Sequence, residues 1–347
     1  MALSPARRLE GAARERVALA ALLALLPAAL VAGLAIGGVR IPLASMLSLI
    51  GEPDRLGHVL LSIRLPRVLM AGLVGASLAL AGASLQALFR NPLADPGLIG
   101  VASGAMLGVV ATIVFWQHGG GFVGALGPYA MPIAAGVGGA AALAAVHAIA
   151  RGIEGDVDIA RLLLAGIGVN AFAASVTGLA IYAADDAELR SIQFWMLGSL
   201  SGVGWAALAG AAPMTLLAAI LLFGRGRALD AFTLGEGEAF VAGVDTSGLK
   251  RAVVAASALA TGAAVAFTGM IGFVGLVAPH LVRLLAGQRH PYVLPASATL
   301  GAVLVILADA TARTVMAPAE LPTGIVTSLV GAPLFIGLLM HQRRAAT

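Results

Sequence analysis

The sequence predicts an all-α polytopic membrane protein with about ten transmembrane helices. Three observations carry that reading. Of 347 residues, 60% are hydrophobic and 11% are charged, with a mean hydropathy of +0.98; soluble domains carry about 25% charged residues. The apolar residues fall into runs of roughly 20, the length that crosses a hydrocarbon core as a helix. Gly is abundant, at 45 residues, as expected where helices in lipid pack through small side chains. Cys is absent, which excludes disulfides, thiolate metal sites and thiol catalysis.

Taken in order, the runs place spans near 17–37, 64–87, 98–116, 128–150, 159–182, 205–223, 251–268, 271–286, 293–313 and 322–341. The first follows Arg7, Arg8, Arg14 and Arg16. At about 20 residues it exceeds the apolar core of a cleaved signal peptide, so it reads as a span. The stretch 41–63 contains Pro42, Glu52, Pro53 and Asp54 and is too broken to cross. Residues 191–203 read as a short helix lying at the membrane surface.

An even number of spans puts both termini on one side. That side receives Arg7, Arg8, Arg14, Arg16, Arg90, Arg151, Arg161, Arg225, Arg227, Lys250, Arg251, Arg283, Arg289, Arg343 and Arg344. The other receives Arg40, Arg55, Arg64, Arg67, Arg190 and Arg313. The excess of cations places both termini in the cytoplasm. Trp116, Trp195 and Trp205 then fall at outer span ends, as an aromatic belt requires.

Two polar stretches interrupt the spans on the cytoplasmic side. "RNPLADPGLIG" (90–100) joins spans 2 and 3. Pro92 lacks an N–H and pushes Asn91 out of helical backbone, while Pro96 suits the start of the next helix. The segment 224–250, "GRGRALDAFTLGEGEAFVAGVDTSGLK", reads as two short helices broken near Gly235 and Gly237. It carries Leu229, Phe232, Leu234, Phe240 and Val241 among acids and glycines. A solvated loop has no need of those side chains, and a soluble partner docking there accounts for them. In span 5, Asn170, Ala174, Thr177 and Ile181 share one face. That face either lines a path for a large solute or bonds to neighbouring spans.

Enzyme motifs are nearly absent. "GVDTSGLK" (243–250) lacks the Gly-Lys-Ser/Thr order of a phosphate loop. The six histidines, His58, His118, His147, His280, His290 and His341, form no i, i+4 pair, so no metal site is expected. No catalytic residue and no cofactor are assigned to this chain, and any ATP use belongs to a partner. Spans without a buried Asp, Glu or Lys relay disfavour a secondary transporter. The net charge of +4 is read as a topology signal and not as a nucleic-acid footprint.

Several motifs carry a family resemblance. They are "RLPRVLMAGLVGASLALAGASLQALFRNPLADPGLIGVASGA" (64–105), "LGEGEAFVAGVD" (234–245), "GFVGLVAPHLVRLLAGQRH" (272–290), "LPASATLGAVLVILAD" (294–309) and "ELPTGIVTSLVGAPLFIGLL" (320–339). In order and spacing they closely resemble the permease subunits of ABC importers for iron-siderophores, haem and cobalamin. The resemblance covers nearly all the chain past residue 40. It implies a cobalamin-permease-like fold over 1–347, placed in the bacterial inner membrane and working as a homodimer. It further implies two ATPase subunits holding ATP-Mg below and a periplasmic binding protein above.

The resemblance also implies roles. Arg64, Arg67 and Arg313 match outer arginines that dock the binding protein, the alternative being arginines that snorkel at span ends. Asn91 and Leu93 match a cytoplasmic gate. Leu234, Gly235, Glu236 and Glu238 match the ATPase-coupling contact. The acidic version of "YAADDAELRSIQFWMLGSL" (182–200) is most similar to the haem branch. Haem is the cargo it implies, with ferric siderophores and then cobalamin behind it. Arg190 is the cation expected to guide haem propionates, unless it pairs locally with Asp186.

Overall fold

The structure, a computed structural model, describes residues 5–39, 41, 42, 44, 46, 55–116, 126–151 and 158–345. Arg40, Glu52, Pro53, Asp54 and His118 lie outside the described residues.

The described chain is helical throughout: α1 Pro5–Ala35, α2 Arg55–His58, α3 Leu65–Leu88, α4 Val101–Trp116, α5 Ala130–Ala150, α6 Ile159–Ala183, α7 Asp186–Met196, α8 Trp205–Phe223, α9 Gly226–Leu234, α10 Glu236–Val241, α11 Thr246–Thr268, α12 Val274–Ala286, α13 His290–Ala312 and α14 Thr323–Ala345. Among the described residues, seven helices are long and apolar enough to cross a membrane. Shorter apolar helices at Val101–Phe115, Val274–Ala286 and Thr323–Gly337 bring the set to the ten expected positions. We call the side where α1 begins the near face and the side where it ends the far face.

Three boundaries differ from the sequence expectation. The second span begins at Leu56, inside the stretch read as broken. A π-helical turn, Val59–Arg64, joins α2 to α3. Pro66 has no N–H to donate to Ser62, and the wider turn absorbs that loss: Leu65 N–H donates to Leu60, five residues back. Helix α7 begins at Asp186 and not near 191, because Asp185 and Glu188 form a reciprocal capping box. Helix α12 begins at Val274, behind a non-helical connector at 269–273. Gly269 (φ 68°) and Phe273 (φ 66°) take left-handed backbone at its two ends.

Helix α3 is the axis of the core and packs on α13, α11, α12 and α8. Its contact with α13 is backbone on backbone: a Cβ on Gly75 would collide with the carbonyl of Gly301. The same device joins α4 to α5 at Gly104 and Gly138. In lipid, where apolar burial no longer drives association, such close approach supplies the packing energy.

Candidate functional site

At the far face, the three outer arginines meet. All are buried, at 5%, 6% and 4% exposure for Arg64, Arg67 and Arg313. Arg67 holds Asp309 with Nε and Nη2 (3.1 and 2.9 Å to Oδ1) and gives Nη1 to Glu320 at 2.8 Å. Arg313 reaches Asp309 from one helical turn on, Nε to Oδ2 at 3.0 Å. Its Nη2 donates to Gly33 O at 2.9 Å. Thr323 donates to Asp309 Oδ1 at 3.3 Å. Arg64 caps the end of α1, donating to Leu34 O (2.7 Å), Ala35 O (3.2 Å) and Val39 O.

The three outer arginines, expected to dock a partner or to snorkel at span ends, are drawn together into a covered cluster. Asp309, fully buried, draws the guanidinium groups inward, and the open C-terminus of α1 supplies carbonyls to the rest. Asp309 and Glu320 are the residues that sequence reasoning missed. The i, i+4 pair Asp309/Arg313 was the available signal.

Between α3 and α4 the chain does more than turn. Arg90 takes the left-handed position (φ 48°) that ends α3, and Asn91 N–H reaches back to Gln86 O at 3.1 Å. Asn91 Oδ1 then accepts from Leu93 N–H at 2.9 Å, and both residues are exposed on the near face. Past them the chain re-enters as a 3₁₀ turn, Pro96–Ile99, capped by Asp95, which accepts from Gly97 N–H at 2.8 Å. Helix α4 starts only after Gly100 (φ 85°), not at Pro96.

The polar face of α6 points inward. Asn170 Nδ2 donates to Gly97 O at 3.1 Å, and Thr177 is buried. Of the residues expected on a pathway, Ala174 is exposed. The exposed stripe is instead apolar, with Leu164, Ile167, Phe172 and Leu179. Asn170 and Thr177 share a face as expected; that face is turned toward the 3₁₀ turn because the turn offers Asn170 a carbonyl. On α7, Arg190 and Phe194 are one turn apart and both exposed. The local pair with Asp186 is not formed; Asp186 sits in the first turn, where the helix N-terminus favours an acid.

On the near face, α9 and α10 form the two short helices expected, broken at Gly235 (φ 148°, ψ 149°). Gly237 lies inside α10. The apolar set divides. Leu229 and Phe232 are fully buried, while Leu234, Phe240 and Val241 are 79%, 71% and 84% exposed. One ion pair and one hydrogen-bonded pair fix the segment to the bundle. Glu236 Oε1 lies 2.7 Å from Nζ of the buried Lys250. Asp230 Oδ1 accepts from His290 N–H at 2.7 Å and meets Nδ1 of the same residue at 2.7 Å. Glu238 is exposed beside them. A pinned platform with three solvent-facing apolar side chains suits a docking partner.

Comparison with known proteins fits this arrangement. The family model for the FecCD transport family matches residues 24–341. The chain is 42% identical over 270 residues to the uncharacterized ABC transporter permease protein YvrB of Bacillus subtilis, covering 78% of this chain and 75% of that one. It is 40% identical over 278 residues to the hemin transport system permease protein HmuU of Yersinia pestis (78% and 79% covered). It is also 40% identical over 269 residues to the vitamin B12 import system permease protein BtuC of Vibrio cholerae (77% and 78% covered). A solved metal-chelate type ABC transporter in an inward-facing conformation superposes with a TM-score of 0.82 at 33% identity, covering 93% of this chain and 98% of that chain. With ten apolar helices, a near-face platform and a family match over most of its length, the chain belongs to the FecCD transport family and is a multi-pass permease of an ABC importer.

Proposed function

We propose that this permease works as a homodimer that moves haem across the inner membrane into the cytoplasm, with both termini cytoplasmic. ATP is hydrolysed on two partner ATPases that seat against α9 and α10, with Leu234, Gly235, Glu236 and Glu238 at the contact. The near face is the cytoplasmic one, since most of the cations gather there. A periplasmic binding protein docks at the far face over Arg64, Arg67 and Arg313. That cluster sets three guanidinium groups against two carboxylates, an excess of positive charge suited to an acidic partner. The exposed turn at Asn91 and Leu93 forms the cytoplasmic gate.

One observation carries the cargo reading. Arg190 and Phe194 stand on one exposed face of α7 at the far side, offering a cation for a propionate and a ring for a flat apolar macrocycle. The test is uptake into proteoliposomes holding the permease, its ATPase and its binding protein. Haem uptake should fall in Arg190→Ala and in Phe194→Ala. Uptake of a ferric siderophore or cobalamin, with none of haem, would overturn the cargo. The second reading is a cobalamin or metal-chelate cargo, favoured by the equal identity to the vitamin B12 permease and by the metal-chelate transporter structure.

A further inference from the structure

The re-entrant turn carries an acid that the import function does not use. Asp95 lines a cavity of about 270 Å³ together with Leu78, Ser103, Thr261, Met270 and Gly272. Leu78 lies ten residues before Leu88, the near-face end of α3, so the cavity is about 15 Å inside the bundle at 1.5 Å per residue. Gly275 packs there against both Pro96 and Leu78. Asp95 is partly buried on the cavity wall, and a carboxylate withdrawn from bulk water is costly unless something compensates its charge. Asp95 receives one backbone N–H, from Gly97. Among the described residues no Lys, Arg or His forms an ion pair with it.

A second observation is independent of Asp95. Thr261, on α11, is 2% exposed and lines the same cavity, yet its Oγ1 has no hydrogen-bond partner. Buried hydroxyls in folded proteins are normally satisfied. The third wall is the connector at 269–273, which is outside helical backbone; Phe273 O accepts from Leu276 and Val277 N–H, which leaves the carbonyls of 269–272 outside the i to i+4 ladder. Unwound backbone at membrane depth beside a carboxylate and hydroxyls is how membrane proteins build sites for small cations.

We propose that this cavity binds one sodium-sized monovalent cation through Asp95, Thr261, Ser103 and connector carbonyls. Charge selects the class: one carboxylate neutralises one positive charge. Among the described residues there is no group of three acids, His or Cys to hold a divalent ion. The volume admits the ion with several waters, at roughly 30 Å³ per water. The bound cation would tie the 3₁₀ turn before α4 to the connector between α11 and α12, two places where the ladder is broken.

The test uses the purified full chain in nanodiscs, with sodium-22 binding measured by scintillation proximity and melting followed in NaCl against choline chloride. Saturable sodium-22 binding and a higher melting temperature in NaCl are expected. Asp95→Asn should abolish both. Thr261→Val should raise the half-saturating concentration about five-fold, as loss of one neutral ligand does, while Thr261→Ser keeps the wild-type value. Should Asp95→Asn fail to fold, the Val and Ser pair decides. Superimposable melts in the two salts without saturable binding, or equal binding by Thr261→Val and wild type, would overturn the site.

Discussion

Arg67 offers a controlled comparison, since one guanidinium makes two ion pairs of nearly equal length in unequal surroundings. Its contact to Asp309 is 2.9 Å with that acid fully buried; its contact to Glu320 is 2.8 Å with that side chain 39% exposed. Distance alone predicts equal worth. Burial predicts otherwise. Removing one partner of a buried pair leaves an uncompensated charge and costs about 3–5 kcal/mol. Partly exposed pairs contribute about 0–1 kcal/mol. Arg67→Ala should therefore destabilise by about 3–5 kcal/mol, softened where Arg313 still holds Asp309. The coupling energy in a double-mutant cycle with Asp309→Asn should exceed that with Glu320→Gln several-fold. The assay is SDS-titrated unfolding of the purified chain and its single and double variants in mixed micelles. Charge reversal, Arg67→Glu, would add a third acid to a covered site and prevent accumulation of folded protein, where a rim residue would tolerate it. Equal couplings to Asp309 and Glu320 would refute the burial argument.

Two further outcomes are expected. Phe240→Ala and Leu234→Ala, both at exposed positions, should leave the fold intact and weaken binding of the cognate ATPase about ten-fold each, as truncation of an anchoring side chain does; unchanged affinity in calorimetry would remove the end of α9 and α10 from the contact. Asp158 caps α6, and hydrogen bonding from the Arg161 N–H, then from Ala160, holds its carboxyl below the usual carboxylate range. Its folded pKa is lowered, so its stabilisation is complete above the unfolded value near 3.8 and is lost as pH falls through the folded one. Asp158→Ala should lower the melting temperature at neutral pH, where the ionised cap is lost, and flatten the acid limb so that variant and wild type converge below about pH 4.

The sequence was most legible where lipid dictates it. A run of apolar residues near 20 has one outcome in a bilayer, and all ten positions hold helices. Breaks were less legible. Pro42 and Pro53 made 41–63 look uncrossable, yet a π-turn ahead of Pro66 lets the second span extend back to Leu56. The site residues fared unevenly because side-chain direction depends on the partner. Asn170 and Thr177 do share a face, but only the carbonyl of Gly97 reveals that it turns inward. Leu229 and Phe232, three residues apart, share the buried face of α9 while Leu234 falls off that face into solvent, and the Gly235 break re-aims the chain so that Phe240 is exposed on α10. The outer arginines were found as a group. The local Asp309/Arg313 spacing hints at one contact, but Arg67 is 242 residues from Asp309 in sequence and Arg64 is held by the carbonyls of α1, which no local pattern discloses.

Helix α13 has a mechanical consequence. At its near end, His290 is held by Asp230 of the α9–α10 platform; at its far end, Asp309 anchors the arginine cluster. The helix that carries both has 23 residues, a rod about 33 Å long. Packed tightly on α3 through Gly75 and Gly301, it behaves as a lever with its fulcrum in the middle of the bilayer. A tilt of about 5° carries each end about 1.4 Å, in opposite directions, over that length. Half an ångström separates a good hydrogen bond from a poor one, so the two ends cannot both keep their present contacts through such a tilt. The far-face cluster and the near-face platform are thereby read out by the same beam.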